Sequence, residues 1–92
     1  MPRLSDDEID ARLRERAGWE RDGDAIRRVF ELDDFKSSVE FVNRLTPVAE
    51  EMTHHPDLAI SWNRVTVSVT THSEGGLTES DFELARRIDE LA

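Results

Sequence analysis

Cysteine is absent from this chain of 92 residues. That excludes disulfide bonds, thiolate metal sites and thiol catalysis. Long apolar runs are absent too, and none could span a membrane. The charged N-terminal stretch Met1–Asp10 lacks the apolar core of a signal peptide. Basic charge is scarce: 12 Lys and Arg stand against 21 Asp and Glu, for a formal charge of −9. Such a surface repels nucleic-acid phosphates and anionic membranes. An acidic face is also compatible with adaptation to high salt. Repeats, low-complexity tracts and linkers are lacking. Residues 1–92 therefore read as one domain, expected to be cytoplasmic, with neither nucleic acid nor membrane as a partner. A small domain without covalent staples often gains stability by oligomerising, so a homodimer or homotetramer is expected.

What is present is patterned. Hydrophobic residues make up 37% of the chain, and their periodicity argues against disorder. Ser5 and Glu8 have capping-box spacing ahead of a short helix over Asp6–Arg16, which Gly18 ends. Trp19–Glu20 reads as a short strand, Arg21-Asp22-Gly23-Asp24 as a turn, and Ala25–Leu32 as a second strand. In that strand Ile26, Phe30 and Leu32 share a face that Arg28 interrupts. Asp34 can cap a long helix over Phe35–Met52, whose apolar face is Phe35, Val39, Val42, Leu45, Ala49 and Met52. Pro47 within it predicts a kink or a division into two helices.

His54-His55-Pro56-Asp57 breaks the helical pattern. Leu58, Ile60 and Trp62 alternate as a strand, Asn63-Arg64 suggests a tight turn, and Val65, Val67 and Val69 mark the next strand. His72 falls at that strand's end, and Ser73–Gly76 is a loop. Thr78 and Asp81 form a second capping pair before a last helix with Phe82, Leu84, Ala85, Ile88 and Leu91 inward. The order α-β-β-α-β-β-α implies an α+β fold of two layers: a four-stranded antiparallel sheet with helices on one face.

Chemistry concentrates in one region. The three histidines, His54, His55 and His72, lie close in sequence. Glu50 stands four residues before His54, on the same side if the helix reaches that far. Asp81 lies in the first turn of the last helix. Imidazole gives and takes protons near neutrality, and several such groups around one cleft suit an elimination. The helix N-terminus after His72 would, if close, keep that ring neutral. The ordinary readings differ: His-His-Pro occurs in turns, Asp81 can be a cap alone, and Glu50 can be a solvated helix face. Trp19 and Trp62 read as core or interface anchors. Three histidines and a carboxylate also match a zinc ligand set. Adjacent His54 and His55, however, lack the i, i+4 spacing of H-E-x-x-H, so no metal is expected. No serine stands in a G-x-S-x-G context, and Gly75-Gly76 lacks the phosphate-loop signature.

The pattern Glu50-x3-His54-His55-Pro56-x5-Trp62-x9-His72-x8-Asp81 resembles that of the pterin-4a-carbinolamine dehydratases. Gly18-Trp19, the strand with Ala25-Ile26 and Phe30, Phe35, Phe41 and Gly76-Leu77-Thr78 are similar as well. The resemblance covers nearly all of the chain from Gly18 onward. It implies a four-stranded antiparallel sheet, assembly into dimers or tetramers, and a pterin as substrate with no further cofactor. The implied reaction dehydrates 4a-hydroxytetrahydropterin to the quinonoid dihydropterin, recycling the cofactor of aromatic amino acid hydroxylases. It implies His54, His55 and His72 as catalytic, with Glu50, Asp81 and Pro56 supporting them or binding substrate. Pro47 and Leu58 depart from the family pattern. Two alternatives accompany the resemblance. One is a non-catalytic dimerisation or interaction module, a role known for animal members. The other is a dehydratase acting on another pterin, such as one related to the molybdenum cofactor.

Overall fold

The computed structural model describes residues 2–92. Four strands, β1 (Glu20–Asp22), β2 (Ala25–Glu31), β3 (Asp57–Ser61) and β4 (Arg64–Val69), accompany three α-helices, α1 (Asp6–Leu13), α2 (Phe35–Met52) and α3 (Glu79–Asp89). All strand pairs are antiparallel, in the order β1-β2-β4-β3. The element order and the two-layer α+β class are those expected from the sequence.

The inner sheet face follows from alternation. Ile26 and Phe30 on β2 lie across from Val69 and Val65 on β4, and all four are buried. Helices α2 and α3 cover them with Phe41, Leu45, Ala49, Phe82, Leu84, Ala85 and Ile88. The Trp19 and Phe30 rings meet edge to face and the Phe30 and Phe41 rings meet at a tilt, with centroids 6.1 and 4.9 Å apart. Arg28, which interrupts the apolar face of β2, has an inward role. Its guanidinium bonds Asp89 at the end of α3 at 2.9 Å and lies over the Phe30 ring. Arg16 and the Trp19 indole N–H bind the same carboxylate.

Several boundaries differ from the sequence expectation. Helix α1 stops at Leu13, because the chain tightens into turns in which Glu15 N bonds Arg12 O and Arg16 N bonds Leu13 O. Helix α2 is one helix and runs unbroken through Pro47. Its buried stripe is Ser38, Phe41, Leu45 and Ala49, so the predicted line through Phe35, Val39 and Val42 lies to one side. Phe35 is 54% exposed. Both hairpin turns are displaced by one residue. Asp22 pairs with Ala25, leaving Gly23-Asp24 as the first turn. Ser61 pairs with Arg64, leaving Trp62-Asn63 as the second, in place of Asn63-Arg64. Leu32 sets this register: its N–H donates to Asn63 O at 2.7 Å, and the Asn63 side-chain amide donates to Leu32 O. Trp62 therefore leaves strand β3, takes a positive φ of 49° and is 64% exposed.

Candidate functional site

Three segments build the site: the end of α2, the stretch after β4 and the start of α3. Helix α2 ends at Thr53 in the left-handed conformation, φ 51°. Thr53 N–H bonds the carbonyl of Glu50, and His54 N–H reaches back to Ala49 O at 3.0 Å. This pattern closes a helix and reverses the chain. It sends His54 and His55 in different directions. Pro56 then leads into β3.

His54 turns inward, and its side chain is 15% exposed. Its Nε2 lies 2.6 Å from Oδ1 of Asp81, whose side chain is fully buried. The other oxygen, Oδ2, accepts from Thr71 Oγ1 at 2.8 Å and from the Thr78 backbone N–H at 2.8 Å. The hydroxyls of Thr71 and Thr78 are 2.9 Å apart. Asp81 therefore completes the capping box of α3 and holds a histidine with the same carboxylate.

His55 turns outward and pairs through Nε2 with Glu50. The sequence expectation joined Glu50 to His54. The helix stops short of His54, and Glu50 meets His55 instead. Both of those side chains are mostly exposed.

His72 is also placed differently from expectation. Strand β4 ends at Val69, and His72 opens a single 3₁₀ turn, His72–Glu74, closed by Gly75 at φ 69°. A bridge between Thr71 and Gly76 pins this turn. The exposed His72 lines a cavity of about 290 Å³ with Asp22, Asp24, Ala25, Thr70 and Gly75. The expected convergence is thus indirect: Thr71, the residue beside His72, is bonded to Asp81 and so links His72 to the His54 pair. A larger cavity, about 410 Å³, lies between α1 and α3. Its arginines Arg12, Arg16 and Arg86 are each tied to a carboxylate, and it contains no histidine. The chemistry therefore favours the histidine region over the larger hollow.

Sequence reasoning missed Thr71 as a member of the site, and Asp22 and Asp24 as neighbours of His72. Thr71's position beside His72 was the one available signal. Among the described residues, no three His, Cys, Asp or Glu side chains are grouped to hold a metal ion. Among the same residues, no helix is long and apolar enough to cross a membrane.

The two-layer α+β domain thus carries histidine–carboxylate pairs at a helix end and a helix start, groups of the kind that can exchange protons near neutrality. Residues 2–91 match the family model for pterin 4 alpha carbinolamine dehydratase, and the chain belongs to that family. Relatives named for this dehydratase family include one from Roseiflexus sp. (strain RS-1). It is 51% identical over 89 residues, spanning 97% of this chain and 96% of its own. Another, from Natronomonas pharaonis, is 49% identical over 90 residues, 98% of this chain and 96% of its own. The crystal structure of the transcriptional coactivator/pterin dehydratase from Brucella melitensis superposes with a TM-score of 0.94 at 37% identity, covering 98% of both chains.

Proposed function

We propose that the protein dehydrates a 4a-hydroxytetrahydropterin to the quinonoid dihydropterin and water, with histidines as general acid and base and no resident metal. The observation that carries this reading is the His54–Asp81 pair, set in a chain of this family. One imidazolium donates its proton to the departing 4a-hydroxyl, which leaves as water. A second, neutral imidazole takes the proton from N5, and the C4a=N5 double bond forms. One proton is given and one taken, so the step balances. His54 and His72 fill these roles. His55 with Glu50, and Pro56, bind and orient the pterin. The reading places the protein in tetrahydropterin recycling in the cytoplasm.

Stopped-flow dehydration of synthetic 4a-hydroxytetrahydropterin tests it. General acid–base assistance contributes ~10²–10⁴ in rate, so His54→Ala and His72→Ala should each lower kcat by about that range. The double variant should lose less than the product of the two, because both act on one event. Folded variants with wild-type rates sink the histidine mechanism.

The second reading is a non-catalytic interaction module. It draws on the exposed apolar residues Leu58, Ile60, Trp62 and Phe35, and it takes over if the wild-type protein is inert toward the pterin.

A further inference from the structure

The Asp81 carboxylate is surrounded by donors. Each of its oxygens is engaged, and a carboxylate can only accept. His54 Nε2 must therefore carry the proton shared with Oδ1. On Oδ2, Thr71 donates its single hydroxyl proton and Thr78 its backbone N–H. Thr71's proton is then committed, so the Thr78 hydroxyl must donate to Thr71 across their 2.9 Å contact. The freed lone pairs of the Thr78 oxygen accept from Ser80 N–H. Every donor in the chain Thr78–Thr71–Asp81–His54 thus has one direction.

The other nitrogen of His54, Nδ1, makes no hydrogen bond among the described residues. Among the described residues, no side-chain nitrogen or oxygen that is shut off from solvent lacks a partner, and His54 is only half-buried. Nδ1 is therefore open to solvent. In a neutral imidazole with Nε2 protonated, Nδ1 holds the lone pair. A buried acceptor that fixes one nitrogen decides which tautomer the other presents.

The geometry points to Thr71 as a positioning residue, whose hydroxyl bond to Asp81 fixes His54 in the Nε2–H tautomer and makes Nδ1 the atom that exchanges protons with substrate. This deepens the dehydratase reading and rests on it for the identity of the substrate. The tautomer itself is independent of that reading. Thr71 touches no reacting atom in this account. It acts by saturating Oδ2, so that Oδ1 stays aimed at the imidazole.

Nitrogen-15 spectroscopy of the histidine rings tests the tautomer. The chain has only three histidines, and the His54 signals are those lost in His54→Gln. With the ring neutral, Nδ1 of His54 should show the lone-pair type of resonance and Nε2 the protonated type. The reverse pattern in the wild type overturns the proposal, whatever the activity. Thr71→Val, close to isosteric, removes one of the two donors that aim the Asp81 carboxylate, so Oδ1 can turn from the imidazole and the ring should populate both tautomers. It should lower kcat about tenfold, the factor that one ordinary hydrogen bond is worth, with KM nearly unchanged. Thr71→Ser should restore both the spectrum and kcat. An unchanged tautomer and kcat in folded Thr71→Val, checked by its melting temperature, overturns the role of Thr71. A wild type inert toward the pterin but showing the expected tautomer and its loss in Thr71→Val supports the arrangement and sinks the dehydratase reading alone.

Discussion

Asp81 serves folding and site with one buried carboxylate. It caps α3 through Thr78 N–H, orders Thr71 and holds His54. Removing it strands three donors at once, and an unsatisfied buried polar group costs about 1–3 kcal/mol. Part of that cost is relieved where water can enter, so Asp81→Ala should destabilise the fold by about 3 kcal/mol in chemical denaturation. The rate should fall as well. A variant as stable as wild type would show that the pocket rehydrates freely. The cap was legible in the sequence, because T-x-x-D spacing before an apolar helix has a local cause. The bond to His54 was not, because it joins residues 27 apart through the fold. His-His in sequence likewise gave no sign that the two rings face opposite environments. That separation comes from the left-handed Thr53 between helix and strand.

At the scale of elements, the helix ends invite two tests. Thr53 is β-branched and sits at φ 51°, a region that glycine occupies without steric cost. Thr53→Gly should raise stability by about 1 kcal/mol in urea unfolding, offset in part by glycine's greater freedom in the unfolded chain. A loss of stability would show that the threonine side chain makes up for the strain. The N-terminal caps set the acid limit. Backbone and hydroxyl donors of Ser5 hold the Glu8 carboxyl below its ordinary pKa, and the Ser37 backbone N–H does the same for Asp34. A folded-state pKa that is depressed contributes stability above the unfolded pKa and loses it as pH falls through the folded one. Thermal melting temperature should therefore drop across and below the usual carboxylate range, and less steeply in Glu8→Gln and Asp34→Asn. Equal slopes in all three would remove the caps from the acid response. Element order and type were readable from periods of two and of three to four. The second hairpin turn was not, because long-range bonds between Leu32 and Asn63 outweighed local turn preference. The stripe of α2 was misaligned for a related reason. That helix carries apolar residues on more than one side, and only packing shows which side meets the sheet.

For the whole molecule, the open surface points to association. β3 is an edge strand, all five of its residues are exposed, and its outer backbone edge has no partner strand among the described residues. Leu58 and Ile60 share the face of Val67 and Val65, yet each stays 39% exposed while the two valines are fully buried. Edges of this kind are usually covered or paired. Sedimentation at micromolar protein should show a dimer or tetramer, and Ile60→Lys should shift it toward monomer. A monomeric wild type would count against the oligomer and leave the histidine pairs untouched.

The two tryptophans sit at opposite extremes of environment. Trp19 is buried, with its indole N–H held by Asp89, whereas Trp62 stands mostly free at the tip of the β3–β4 hairpin. Their light emission should differ accordingly. Trp19 should emit at shorter wavelength and resist acrylamide quenching, while Trp62 should emit at longer wavelength and be quenched readily. Trp62→Phe and Trp19→Phe would separate the two signals. The chain thus carries two built-in optical reporters, with Trp19 sensing loss of the core and Trp62 sensing whatever comes to cover the sheet edge.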